Sequence, residues 1–285
     1  MGAVMTPPAP TEVVARQPEH PSPRFVDVVL SEWTKFRTVR SSFWTLAIGA
    51  VLGVGLGAVV SLVSANHYQS DPEVHFNWNP TDRSLGSLML TQLAFAILGV
   101  LVVSGEYSSG MIRTSLAAVP NRPRMLAAKI VVFTVVLFIV SEVVSFAAFL
   151  IGQALISGKA PSADLGIPGV LRAVFGNGLY LTALALVGLG LGVILRHAAA
   201  GIGTFVAILL VLPPIALALP TSWAKPIETY WPTNAGYRVA STGHGLERFA
   251  VNGSVMAPWT GFAVMLAFVA AVLALGFFLL EKRDA

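Results

Sequence analysis

The chain has 285 residues, 55% of them apolar and only 11% charged, whereas an ordinary soluble domain is about 25% charged. A mean hydropathy of +0.75 excludes a water-soluble core of this length, and the apolar residues gather into blocks of about 20 or more, the length that crosses a bilayer. The absence of cysteine excludes disulfides, thiolate nucleophiles and cysteine-based metal sites, while the net charge of +4 is spread beside the apolar blocks rather than gathered in one patch, which argues against nucleic-acid binding.

Residues 1–23 carry Pro7, Pro8, Pro10, Pro21 and Pro23 without apolar periodicity and read as a disordered cytoplasmic tail; residues 24–285 read as a single transmembrane domain. From Arg24 to Ser42, Phe25, Val26, Val29, Leu30, Trp33 and Phe36 recur at helical spacing. This predicts an amphipathic interfacial helix with Trp33 at headgroup depth and Lys35, Arg37 and Arg40 toward anionic lipid. Six spans follow, over 43–63, 85–104, 130–156, 171–195, 198–219 and 259–280, each long enough for about 30 Å of hydrocarbon. The first begins too far from the N-terminus for an ordinary signal peptide. The fourth and fifth are joined only at Arg196 and His197 and should form a tight hairpin. The expected fold is therefore an all-α polytopic membrane protein.

Orientation follows from lysine and arginine. With the N-terminus inside, Arg16, Arg24, Lys35, Arg37, Arg40, Arg113, Arg122, Arg124, Lys129, Arg196, Lys282 and Arg283 lie on the cytoplasmic side, and only Arg83, Lys159, Arg172, Lys225, Arg238 and Arg248 lie outside. Both termini are expected in the cytoplasm.

No phosphate-binding G-x-x-x-x-G-K-[ST] run exists; in the nearest, Gly152 to Ala160, the glycine spacing is one residue too long and alanine replaces the magnesium-binding hydroxyl. The chain should bind no nucleotide itself. His20, His67, His75, His197 and His244 are scattered, so no metal site is expected. Gly49, Gly53 and Gly57 form one small-residue ridge and Gly188 with Gly192 another, for packing within one subunit or across a homodimer. Inside the spans, Gln92, Glu142, Asn177 and Thr182 are candidates for a translocation cavity. A carboxylate at mid-membrane depth is functional by default, though Glu142 could equally be protonated and structural. Pro213-Pro214 should break the fifth helix.

The segment from Gly105 to Lys129 is arginine-rich, broken by Pro120 and Pro123, and long enough for one short helix at about 110–118. A rigid helix just outside two spans is something a partner could push on; a basic topology anchor is the competing account. Ser31-Glu-Trp-Thr-Lys-Phe-Arg-Thr38, Glu106-Tyr-x-x-Gly110-x-x-Arg113-Thr-x-Leu116 with Pro120 and Lys129, and Tyr230-Trp-Pro-Thr-Asn-Ala-Gly236 together resemble the ABC-2 type permeases, above all the actinobacterial subunits that pair with a separate ATPase.

That resemblance implies an interfacial connecting helix at about 25–40, a coupling helix at 106–116 that docks in a cleft of the ATPase, and an outer re-entrant helical element between Pro220 and Pro258. The ATPase-coupling residues would be Glu106, Tyr107, Gly110, Arg113, Thr114, Leu116 and Arg122. It further implies a homodimer in the cell membrane with two copies of an ATPase that holds the ATP and magnesium, exporting an amphiphilic or hydrophobic molecule such as an antibiotic, peptide or lipid. The competing class is an ion-coupled secondary transporter or channel using Glu142. An intramembrane enzyme would need convergent catalytic side chains at one depth, and no such set can be assembled.

Overall fold

Val39, extended at φ −78° and ψ 105°, separates the first helix from the first span. The computed structural model describes residues 24–119, 121–242 and 256–283, so the tail expected over 1–23 lies outside the described residues. Helix α1 (Phe25–Thr38) buries Val28 and Glu32 against the bundle and leaves Val26, Leu30 and Trp33 outward. The elements that follow are α2 (Arg40–Ser70), α3 (Pro80–Ser84), α4 (Leu88–Ser108), α5 (Met111–Ala118), α6 (Arg122–Ile156), α7 (Val170–Leu195) and α8 (Ala198–Val206). A π turn over Ala207–Val211 leads to α9 (Leu212–Leu217), α10 (Thr221–Tyr230), α11 (Pro232–Tyr237) and, after residues outside the description, α12 (Pro258–Lys282).

Among the described residues the secondary structure is helical throughout, and six stretches are long and apolar enough to cross a membrane: Phe43–Ser70, Leu88–Ser108, Arg122–Ile156, Val170–Leu195, Ala198–Ala216 and Pro258–Lys282. The chain is a multi-pass α-helical membrane protein. The second span starts three residues later than its hydropathy suggests, because Asn79 accepts from the Asp82 amide at 3.2 Å and Pro80 opens a separate short helix, with a turn at Leu85 to Ser87. Helices α7 and α8 form the expected hairpin, turning on Arg196 in the left-handed region at φ 55°.

Helix α7 is the axis of the bundle: 78% of its most apolar stretch is buried, against 17% for the span Ala198–Ala216. Glycine makes this possible. A Cβ at Gly192 would stand 2.8 Å from the Val100 carbonyl oxygen of α4, and one at Gly99 would stand 2.7 Å from the Leu189 amide of α7. The backbones therefore touch where any side chain would force them apart. Gly188 faces the Ala96 backbone on the same seam. The other ridge also closes on the chain's own helices, with Gly49 against Phe95, Gly53 against Val144 and Gly57 against the Ser84 carbonyl.

At 35 residues, α6 is longer than the hydrocarbon thickness requires. Its surplus at Arg122 to Lys129 runs past α4 and gives α1 and α5 something to pack on: Val28, Ile112, Val119, Met125 and Ala128 form a separate apolar cluster there.

The far end is closed differently. In the π turn the Leu212 amide bonds the Ala207 carbonyl, so the carbonyl next in that register, Ile208, would need an N–H from Pro213. Proline has none. The Trp231 indole supplies it instead, donating to the Ile208 oxygen at 3.0 Å. Arg172 of α7 donates to the carbonyls of Arg238, Val239 and Ser241 at 3.2, 2.9 and 2.8 Å, fixing the segment after α11.

Candidate functional site

Gly110 starts the site. Its φ of 71° is a left-handed conformation that glycine adopts without strain, and it turns the chain sharply from α4 into α5. Helix α5 then presents two faces. Ile112 and Ser115 are buried and Leu116 is half-buried, packing toward α1 and α6, while Arg113, Thr114, Ala117 and Ala118 are exposed.

Beneath α5 lie four charges in one connected network. The Lys129 ammonium donates to Glu32 Oε2 at 2.6 Å and to Glu106 Oε1 at 2.7 Å. Lys35 donates to Glu32 Oε1 at 2.5 Å and to Ser115 Oγ at 2.9 Å, with Glu106 Oε1 a further 3.9 Å away. Glu32, Glu106 and Lys129 are all buried, with side chains 5%, 9% and 6% exposed. Burial alone would push the Glu32 carboxyl up; the Lys129 and Lys35 ammonium groups outweigh it and hold the carboxyl below its ordinary value. The network therefore ties four elements: Glu32 and Lys35 come from α1, Glu106 from α4, Ser115 from α5 and Lys129 from α6. Two salt bridges of this kind, once dry, hold relative helix positions tightly because neither partner tolerates being left alone.

Several residues singled out in the sequence take other places. Lys35, expected toward lipid, turns inward to Glu32 and Ser115, since its position three residues after Glu32 puts both on the packed face. Trp33, Arg37 and Arg40 are exposed, with the Arg37 guanidinium 5.9 Å from the Trp33 ring centre. Glu106 sits in the network rather than on the exposed face of α5. Tyr107 is half-buried with its ring 5.1 Å from the Arg196 guanidinium. Arg122 lies away from α5, where it donates to the Leu280 and Arg283 carbonyls at the end of α12.

The four polar residues within the spans do not meet as a set. Gln92 Oε1 accepts from the Tyr180 hydroxyl at 3.4 Å, Asn177 Nδ2 donates to Ser145 Oγ at 3.1 Å, and Thr182 bonds the Gly178 carbonyl of its own helix. Glu142 packs its carboxyl where a Gly178 side chain would be, within 2.5 Å of a Cβ built there, and among the described residues neither buried oxygen has a hydrogen-bond partner. Sequence reading missed Glu32 as a functional position. The signal was present, for Glu32 lies four residues from both Val28 and Phe36 on the apolar face.

A search of curated proteins finds no match. Residues 28–219, more than half of the chain, match the family described as "ABC-2 family transporter protein", and the matched stretch takes in all four network charges and the whole of α5. The protein thus belongs to the ABC-2 family of transporters, as a membrane component of that system.

Proposed function

We propose that this chain is the permease subunit of an ATP-binding-cassette exporter, driven by a separate ATPase that docks on the exposed face of α5. The observation that carries the reading is the connection of α5 to the bundle. A push on Arg113 and Thr114 meets a helix whose inner face is bonded through Ser115 to Lys35, and through Glu32 and Lys129 to α1, α4 and α6. Force at α5 therefore reaches three helices at once, which a flexible loop would dissipate. The working assembly is a homodimer with two ATPase chains in the cell membrane, both termini cytoplasmic, moving an amphiphilic or hydrophobic molecule outward.

The test is co-expression with a span-free P-loop ATPase from the same genome, followed by purification through a tag on the permease. We expect the ATPase to co-purify and its turnover to rise with the permease present. Arg113→Glu with Ala117→Trp should lower that stimulation at least tenfold while the permease remains folded, because both positions are exposed. Unchanged stimulation in this variant rejects α5 as the docking element, and ATP hydrolysis by the purified permease alone rejects the division of labour.

Ion-coupled transport through Glu142 is the second reading, supported by its two buried carboxyl oxygens, which have no hydrogen-bond partner among the described residues. It requires transport by liposomes holding this chain alone, abolished by Glu142→Gln.

A further inference from the structure

Spans α7 and α12 end together on the α5 side of the bundle, and arginine gathers there. Arg122, at the start of α6, donates through Nη1 to the Leu280 and Arg283 carbonyls at 3.2 and 2.9 Å. Arg196, in the turn between α7 and α8, donates to the same Arg283 oxygen at 3.4 Å, so the two guanidinium groups stand side by side. Arg283 reaches back to the Ile194 carbonyl of α7 at 3.1 Å. Both spans turn polar at this level, after Leu195 and Leu280, which sets the cluster at headgroup depth.

Capping the two helix ends uses only part of what these side chains offer, since a guanidinium has five N–H donors. The bonds of Arg122 all leave Nη1, and its Nε and Nη2 are neither bonded nor enclosed among the described residues. Arg283 engages one nitrogen and is exposed. The acceptors are uncharged carbonyls, and neither Arg122 nor Arg283 meets a carboxylate among the described residues. The backbone does not offset the charge. The C-termini of α7 and α12 each present roughly half a negative charge and the N-termini of α6 and α8 roughly half a positive one, so the four ends cancel. Glu281 is exposed, and its charge is matched by the neighbouring Lys282. Arg122 and Arg283 remain as excess positive charge, with open forks of the shape that grips a phosphate at two points. Beside them, Lys282 Nζ stands 4.4 Å from the Phe278 ring centre, and Phe278 and Leu275 continue along the same face of α12, both exposed. Charge at the head of an apolar strip matches a lipid better than a soluble anion.

We propose that the ends of α6, α7 and α12 form a site for an anionic lipid of the bilayer, its phosphate held by Arg122 and Arg283 beside Arg196 and its acyl chains lying along Leu275 and Phe278. The bound phosphate bridges three helices whose ends are otherwise joined there by arginine-to-carbonyl bonds. Binding here needs no ATPase, so failure of binding and failure of coupling are separate observations.

The experiment uses the full chain in an uncharged detergent and a phosphatidylglycerol carrying a photoreactive diazirine on one acyl chain. We expect saturable labelling of the peptide containing Leu275 and Phe278, displaced by unlabelled phosphatidylglycerol and at least tenfold less readily by phosphatidylcholine of the same chains, whose choline cancels the phosphate charge. Arg122→Gln with Arg283→Gln should cut the labelling at least tenfold. Arg37→Gln with Arg40→Gln removes the same charge from exposed positions at the ends of α1 and α2 and should leave labelling of α12 unchanged. Where the first variant does not fold, the displacement order in the wild type decides alone. Glycerol phosphate separates the sources: it should not displace the lipid, and displacement at equal concentration would make the cluster a site for a soluble phosphate and overturn the proposal. Equal displacement by phosphatidylcholine, or an equal loss in the Arg37 and Arg40 variant, also overturns it, by showing apolar adhesion in the first case and diffuse attraction in the second. So does labelling that appears only after Asp284→Asn, which would give the arginines to the carboxylate that follows Arg283 in the sequence.

Discussion

The two ends of the bundle are fastened by different chemistry. At the α5 end, besides Arg122 on two carbonyls where α12 ends, buried side-chain charges hold side-chain charges, with Lys129 between Glu32 and Glu106. At the opposite end, side-chain donors hold backbone oxygens: Arg172 on three carbonyls, Trp231 on Ile208, Trp78 on Pro161 at 2.8 Å. A carbonyl is present whatever residue carries it, so the second kind of clasp fixes a path for the chain without specifying its side chains. An ion pair specifies both partners. The α5 end is thus held in one register and fails as a unit, while the far end is held by separable clasps.

The largest effect should come from breaking the charge network. Lys129→Ala leaves Glu32 and Glu106 buried without their shared cation, a change that costs about 3–5 kcal/mol, and should appear as a marked loss of thermal stability or of folded protein on purification. Retention of the wild-type melting temperature would mean that water, not Lys129, balances these carboxylates. The same network has a pH signature. Because the Glu32 carboxyl is held below its ordinary value of 4.5, its contribution is present above that value and is lost as pH falls through the lower, folded-state value. Melting temperature should therefore decline at acid pH in the wild type, and Glu32→Gln should flatten that decline.

What the sequence could disclose follows the same division. The six spans, the hairpin at Arg196 and a short helix after Gly110 are local: each is written in hydropathy, a glycine or a proline within a few residues, whereas the break at Val39 falls inside the stretch read as one helix to Ser42. The charge network is not local, since Glu32 and Lys129 stand 97 residues apart and nothing in either neighbourhood names the other. Lys35 and Arg122 could be placed beside the membrane from composition, but their inward partners, Ser115 and the α12 carbonyls, depend on helix rotation and on where α12 ends. Trp231 was visible as part of a family-like motif. Its task was hidden, because the free Ile208 carbonyl exists only once a π turn has shifted the register ahead of Pro213.

The carbonyl clasps should show smaller, separable losses. Arg172→Ala removes three charge-assisted bonds from partly exposed positions, for which a loss of about 2 kcal/mol is reasonable given roughly 1.5–3 for a single hydrogen bond to a charged group. Arg172→Lys, a single-point donor, should recover part of it. Amide exchange at Arg238 to Ser241 should quicken in both variants, while the environment of Lys129 at the other end stays as it was. Faster exchange at both ends would contradict their independence.

The smallest effect sharpens the comparison most. Trp231→Phe keeps the ring and deletes one neutral donor, so it should cost about 1 kcal/mol in the wild-type background. Pro213→Ala gives the chain back an N–H. If the π register persists, that N–H reaches the Ile208 carbonyl directly; if the turn tightens to α, the Leu212 amide does so instead. In either case the carbonyl no longer needs the indole, and Trp231→Phe should cost measurably less in Pro213→Ala than in the wild type. Melting temperatures of the two single variants and the double variant give this coupling directly. An equal cost in both backgrounds would show that Trp231 acts through packing alone, and that the far end is held by fit rather than by capping the carbonyl its proline leaves open.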